Sequence, residues 1–173
     1  PKQGKSKLKT LAISDCSNFC IEQNLDILWM IEEKKELLVE KILKTGEPYK
    51  GEITLLISIK GVTPLLALAF LADIADINRF KKLKEMNAYL GVCPTIKSSG
   101  GHEILGHINR QSRKLARSLF TQSVYHIANS SIKLKQFYQD LKARRGVGKA
   151  RIAVLRKIFG VMRRMLLTGE LYR

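Results

Sequence analysis

Cysteine is scarce: the 173 residues hold only Cys16, Cys20 and Cys93. Three thiols give neither a disulfide framework nor a zinc set, and Cys16 and Cys20, one helical turn apart among apolar residues, read as reduced core thiols. Long apolar runs are missing too. The longest, Leu65 to Ala72 between Pro64 and Asp73, falls well short of the ~20 residues that cross a bilayer. With no secretory signal in view, a soluble protein working in the cytoplasm, away from membranes, is expected. Aromatic residues amount to 7%, with Trp29 the lone tryptophan. They fall mostly on expected core faces and do not alternate with basic residues for base stacking, which weighs against an RNA-packaging or ribosome-associated protein. Acidic residues are few beside their counterparts, 15 against 31 Lys and Arg.

What is present is an ordinary globular composition, 45% apolar and 27% charged, on a chain long enough for one core or two small ones. The formal net charge of +16 exceeds anything solubility needs, and it is unevenly placed. Residues 1–50 carry 9 basic and 8 acidic side chains, 51–100 carry 6 and 4, and 101–173 carry 16 and 3. A solvated surface would mix its signs; this asymmetry points to a polyanion, and so to nucleic acid. The chain opens on Pro1 and not on methionine, which suggests a fragment or a processed form.

The expected class is all-α. Ile21, Asn24, Leu28, Ile31, Lys35, Leu38 and Ile42 alternate spacings of three and four, with mixed charges outside the stripe, and predict one long helix ended by Gly46 and Pro48. Residues 1–50 thus form either a coiled-coil-like arm or an ordinary packed helix. The bundle expected over 51–173 opens at 53–75 with two apolar segments flanking Lys60-Gly61-Val62-Thr63-Pro64. Gly61 can take positive φ, Thr63 can cap the next helix and Pro64 suits its first position. This is a helix–hairpin–helix signature, whose turn N–H groups would face a phosphate, with a plain αα-corner as the alternative. A third helix is read over 79–94, with Phe80, Leu83, Met86 and Leu90 on one face; no β-type alternation appears over 53–94.

Next comes a serine loop at 95–101, with Lys97, Ser98, Ser99, Gly100 and Gly101. By itself it reads as a connector, followed by a short, extended 104–108. A helix from about Ser112 carries Arg110, Arg113, Lys114 and Arg117 around its start, against the preference of the helix dipole, which suggests phosphate contacts. Helices at 132–145 and 149–168 complete the chain, separated by Gly146 and Gly148. The last has Ile152, Leu155, Phe159, Met162 and Leu166 as its core stripe, leaving Arg151, Arg156, Lys157, Arg163 and Arg164 for solvent or ligand.

The order "IKGVTPLLALAFLADI", "FKKLKEMNAYLGVCP", "SSGG", "INRQSRKLARSLF", "FYQDLKAR" and "GKARIAVLRKIFGVMRRMLLTGELY" resembles the C-terminal domain of bacterial insertion-sequence transposases of the 110/116/902 class, over about residues 53–172. The resemblance implies that Ser99, the serine just before a glycine, is the nucleophile of a DNA recombinase, with Ser98 the fallback. It implies DNA as partner, a structured guide RNA, a nucleoid-associated bacterial location and a homo-oligomer able to hold several DNA ends. It also implies an N-terminal RNase H-like domain, joined through a coiled coil, whose four acidic ligands hold magnesium. None of those ligands can be assigned here, so no cofactor or metal site is expected in this chain, which would do little chemistry alone. Gln111-Ser112 stands where relatives tend to have glycine-asparagine.

A serine hydroxyl needs a proton acceptor, and the developing phosphorane needs cations. Lys97, Arg110, Arg113 and Arg117 are candidates for the second part; His102 and His107, nearest in sequence, are weaker candidates for the first. Lys60, Gly61, Thr63 and Lys114 complete the expected nucleic-acid contacts. The competing reading is a non-catalytic helix–hairpin–helix DNA-binding module, in which Ser99 would be silent.

Overall fold

A computed structural model describes residues 14–99, 102–108 and 112–172; for 95–99, 102–105 and 107 it describes the backbone alone. The chain divides between Thr45 and Gly46 into two compact units. The first contains helix α1, Asp15–Thr45. Asp15 in its first turn and Lys44 in its last both suit the helix dipole, and Glu40 pairs with Lys44 at 2.9 Å. Leu28, Ile31, Leu38 and Ile42 of the expected stripe are exposed. Cys16 and Cys20 are exposed as well and Cys93 half-buried, so the expectation of core thiols fails: α1 leaves most of its apolar side chains uncovered.

The second unit begins with a 3-10 turn, Glu47–Tyr49, then α2 (Lys50–Ile57) and α3 (Pro64–Ile74). Between these helices Gly61 has φ +96°, and a Cβ there would stand 3.0 Å from the backbone N of Ile127. Glycine is thus required twice at this position, for its dihedral and for the close approach. Thr63 accepts from Leu66 N at 3.3 Å, with Pro64 opening α3, as the sequence indicates.

The third helix is shorter than expected. A 3-10 turn, Ile77–Arg79, is capped by Asp76, which accepts from Asn78 N at 2.9 Å. Phe80 then runs extended, and α4 covers only Leu83–Tyr89, its entry fixed by Glu85 Oε2 accepting from Lys82 N at 3.2 Å. Phe80, Met86 and Leu90 are buried, but Leu83 is exposed.

Residues 95–99 of the expected loop are strand, because β1 (Pro94–Ser99) and β2 (His102–Ile108) pair antiparallel as a hairpin; Gly100 and Gly101 lie outside the described residues. Register runs Ile96↔Leu105, Lys97↔Ile104, Ser98↔Glu103 and Ser99↔His102, with an irregularity between Pro94 and Ile96. The missed signal was the separation of the strands by just two residues, Gly100 and Gly101, a pair favoured between hairpin strands.

Three helices follow: α5 (Leu115–Ala128), α6 (Ile132–Arg145) and α7 (Val147–Thr168). Ser131 caps α6 by accepting from Leu134 N at 3.1 Å. Gly146 alone, at φ +81°, makes the break before α7; Gly148 lies inside that helix. Phe70 of α3, Phe120 of α5 and Phe159 of α7 meet at the centre with ring centroids 5.2–6.3 Å apart, each fully buried and each contributing roughly 1.5–3 kcal/mol. The protein is therefore helical, as expected, with a hairpin inserted between α4 and α5. Among the described residues no helix is long and apolar enough to cross a membrane.

Candidate functional site

Of the cations that seemed to oppose the dipole of α5, Arg113 and Lys114 precede the helix and Arg117 lies in its first turn, and the helix end has an acidic partner of its own. Asp73 of α3, 5% exposed, accepts from Ala116 N at 2.7 Å. This carboxylate sits where the partial positive charge of the helix end is greatest. An external polyanion is therefore not required to explain the placement, which corrects the argument from sequence. Arg117 is turned inward, its Nη1 donating to Gly91 O at 2.9 Å. Gly91, at φ +68°, leaves the space this needs, since a Cβ would come within 2.6 Å of that Nη1. Arg113 is exposed, yet its backbone N donates to Tyr89 O at 3.0 Å and its Nε to the Tyr89 hydroxyl at 3.3 Å. Lys114 is exposed at the helix start; Arg110 lies outside the described residues.

Gly91 and Arg113 also bracket the serine hairpin, whose base is thereby tied between the end of α4 and the start of α5. Ser99 stands at the opposite end of β1 from Pro94, a span of about 16 Å at the usual strand rise. Its Cα partner is His102, and that of Ser98 is Glu103; opposed Cα atoms in such ladders lie about 4.5–5.5 Å apart. Lys97 is placed by register opposite Ile104.

The α2–α3 turn is a separate place. Lys60 and Thr63 are exposed, but Gly61 packs on the backbone of His126 and Ile127, near the C-terminal end of α5. Ala116 and Ile127 are eleven positions apart, or about 17 Å of helix. The two groups of candidate phosphate contacts thus lie towards opposite ends of α5.

Sequence reasoning missed Arg79 and Tyr89. The Arg79 guanidinium lies 4.7 Å from the Tyr89 ring centroid and 5.0 Å from that of Phe80, and the two rings are 5.3 Å apart. The Arg113 hydrogen bond, aided by the charges of Arg113 and Arg79 and opposed by partial burial, holds the Tyr89 hydroxyl below its ordinary 10.0. The same bond raises the Arg113 guanidinium further. No spacing rule announces this group, because Arg79 and Tyr89 belong to different short elements. Asp73 had a signal, the lone charge of α3, standing at the end of its apolar run.

Arg163, expected to be free for solvent or ligand, is half-buried and donates to Phe80 O at 2.9 Å and Lys81 O at 3.2 Å. Lys157 has its Nζ 3.7 Å from the Phe137 ring centroid. Among the described residues no group of three or more His, Cys, Asp or Glu could hold a metal ion.

Residues 53–139, from α2 into α6 and including the turn, the hairpin and α5, match the family model described as Transposase IS116/IS110/IS902 family. The chain belongs to the IS116/IS110/IS902 transposase family. A relative of this transposase-family chain is the transposase for insertion sequence element IS1111A of Coxiella burnetii, 30% identical over 120 residues, which are 67% of this chain and 33% of the relative. Another is a probable family 20 transposase of Pseudomonas aeruginosa, 26% identical over 127 residues, 71% of this chain and 38% of the relative. The chain spans about a third of the length of the curated transposases it matches.

Proposed function

We propose that this chain is the part of an insertion-sequence transposase that holds DNA and supplies the serine nucleophile for strand transfer, with Ser99 in that role. In the first step the Ser99 Oγ gives up its proton to a base and bonds to phosphorus, while the bond from phosphorus to the departing deoxyribose oxygen breaks and that oxygen takes up a proton. In the second, a hydroxyl of another DNA end attacks the same phosphorus, and Ser99 Oγ leaves and regains a proton. The observation that carries this reading is the hairpin register, which sets Ser99 opposite His102 at the end of β1 away from Pro94. Of the two histidines considered as proton acceptor, His102 is the one so paired. Lys97, Arg110 and Lys114 are the cations for the phosphate charge at Ser99, while Arg117 is held by Gly91 O and Arg113 by Tyr89.

The residues described offer no metal set, and no step here uses one. A DNA substrate agrees with the +16 charge, and a bacterial nucleoid location with such a substrate. The test is strand transfer by the complete transposase: Ser99→Ala should abolish it, Ser98→Ala should not. Full activity in Ser99→Ala would remove the assignment.

A second reading, a non-catalytic DNA-binding module, is favoured by one observation: Lys60 and Thr63 are exposed on a well-formed α2–α3 turn. On that reading Lys60→Ala weakens DNA binding while Ser99→Ala changes neither binding nor strand transfer.

A further inference from the structure

Arg79 and Arg113 approach Tyr89 from two directions. Arg79 lies over its ring at 4.7 Å and Arg113 reaches its hydroxyl at 3.3 Å. We propose that Arg79, Tyr89 and Arg113 form a seat for one phosphodiester group of a bound nucleic acid, distinct from the serine hairpin. The proposal rests on the reading of this chain as a nucleic-acid-binding part of a transposase.

Both guanidiniums are exposed, and among the described residues neither forms an ion pair with a carboxylate. The nearby Asp73 is buried and committed to Ala116 N. It lowers the local positive charge without reaching the surface. Arg117 is committed to Gly91 O. Two cations are therefore left facing solvent beside one hydroxyl.

Their geometry is partly set before any ligand arrives. The planar Arg79 group lies over two aromatic rings, which limits its freedom more than a solvated lysine's would be limited. Arg113 uses Nε on the tyrosine, so the Nη donors at the far side of its fork stay available for two oxygens of one phosphate. Because the Tyr89 oxygen accepts from Arg113, its own O–H is free to donate elsewhere, and the lowered pKa makes it a better donor. A phosphodiester presents two anionic oxygens, which only accept. Three donors of this kind suit it, and ordering them beforehand reduces what binding must spend on side-chain entropy.

A rivet that merely fastens α5 to α4 would use the same Arg113 bond, so the test must separate affinity from stability. The full chain is titrated into a short labelled DNA duplex and, separately, a labelled RNA hairpin, over a series of salt concentrations. Arg79→Gln should lower the magnitude of the salt slope by about 1 with an unchanged melting temperature. Tyr89→Phe should weaken binding about 10-fold and leave the slope alone. Arg113→Lys should keep the slope but lose affinity, since an ammonium has no fork. A loss confined to one of the two probes identifies whose backbone occupies the seat. If Arg79→Gln and Tyr89→Phe bind both probes as the unsubstituted chain does, the seat does not exist. If the unsubstituted chain itself binds neither, the functional reading fails together with this proposal.

Discussion

The carboxylate of Asp73 caps a helix 43 residues further along the chain, accepting from Ala116 N at 2.7 Å. This one bond joins α3 to α5 and lets α5 begin among arginines and lysines. Replacing Asp73 with alanine leaves a buried helix-end N–H without its acceptor. Asp73→Ala should lower the unfolding free energy by about 2 kcal/mol, read from urea titration. A change below a quarter of that would show that the cap does little.

Gly61 makes a second prediction. An alanine there meets both a positive φ and backbone atoms of His126 and Ile127 at 3.0–3.1 Å. Gly61→Ala should cost about 3 kcal/mol. Gly169→Ala is the comparison, because Gly169 has φ +71° but nothing within 4 Å of its missing Cβ; there about 1 kcal/mol is expected. Equal costs in thermal unfolding would mean that close approach contributes nothing at Gly61.

Tyr89 should ionise below its ordinary value of 10.0, chiefly through the Arg113 hydrogen bond. Ultraviolet titration of the phenolate band should show one early tyrosine, which returns towards 10.0 in Arg113→Gln. Folding favours the charged form, so the contribution to stability is complete above the unfolded pKa and is lost as pH falls through the folded one. An early tyrosine that persists in Arg113→Gln would refute the stated cause.

Charge makes the fourth prediction. If about six of the late basic residues touch phosphates, log K for DNA should fall with log salt with a slope of about −5. Fluorescence anisotropy of a labelled duplex measures it. A slope near zero would remove the electrostatic basis for nucleic-acid binding.

Most of the helical frame was legible in the sequence, because periodicity and capping are local. Thr63 and Pro64 mark the start of α3, Gly146 the end of α6, and Phe159 and Met162 the buried face of α7. What escaped depends on contacts between distant residues. The cations of α5 looked uncompensated only because their answer, Asp73, lies on another helix, and Arg163 looked free because Phe80 and Lys81, whose carbonyls it binds, are about eighty positions earlier. The hairpin was a different case. Gly100 and Gly101 were weighed as freedom for a loop, when two such residues between short extended segments also favour pairing, and pairing gives Ser99 its partner His102.

The most direct measurement of the central claim is covalent trapping. The complete transposase is incubated with a nicked or phosphorothiolate-bearing DNA end, denatured and digested, and the peptide carrying the nucleotide is sequenced by mass spectrometry. The account predicts a phosphodiester on Ser99 and no adduct in Ser99→Ala. A nucleotide attached to any other residue, or an adduct that survives Ser99→Ala, would contradict it.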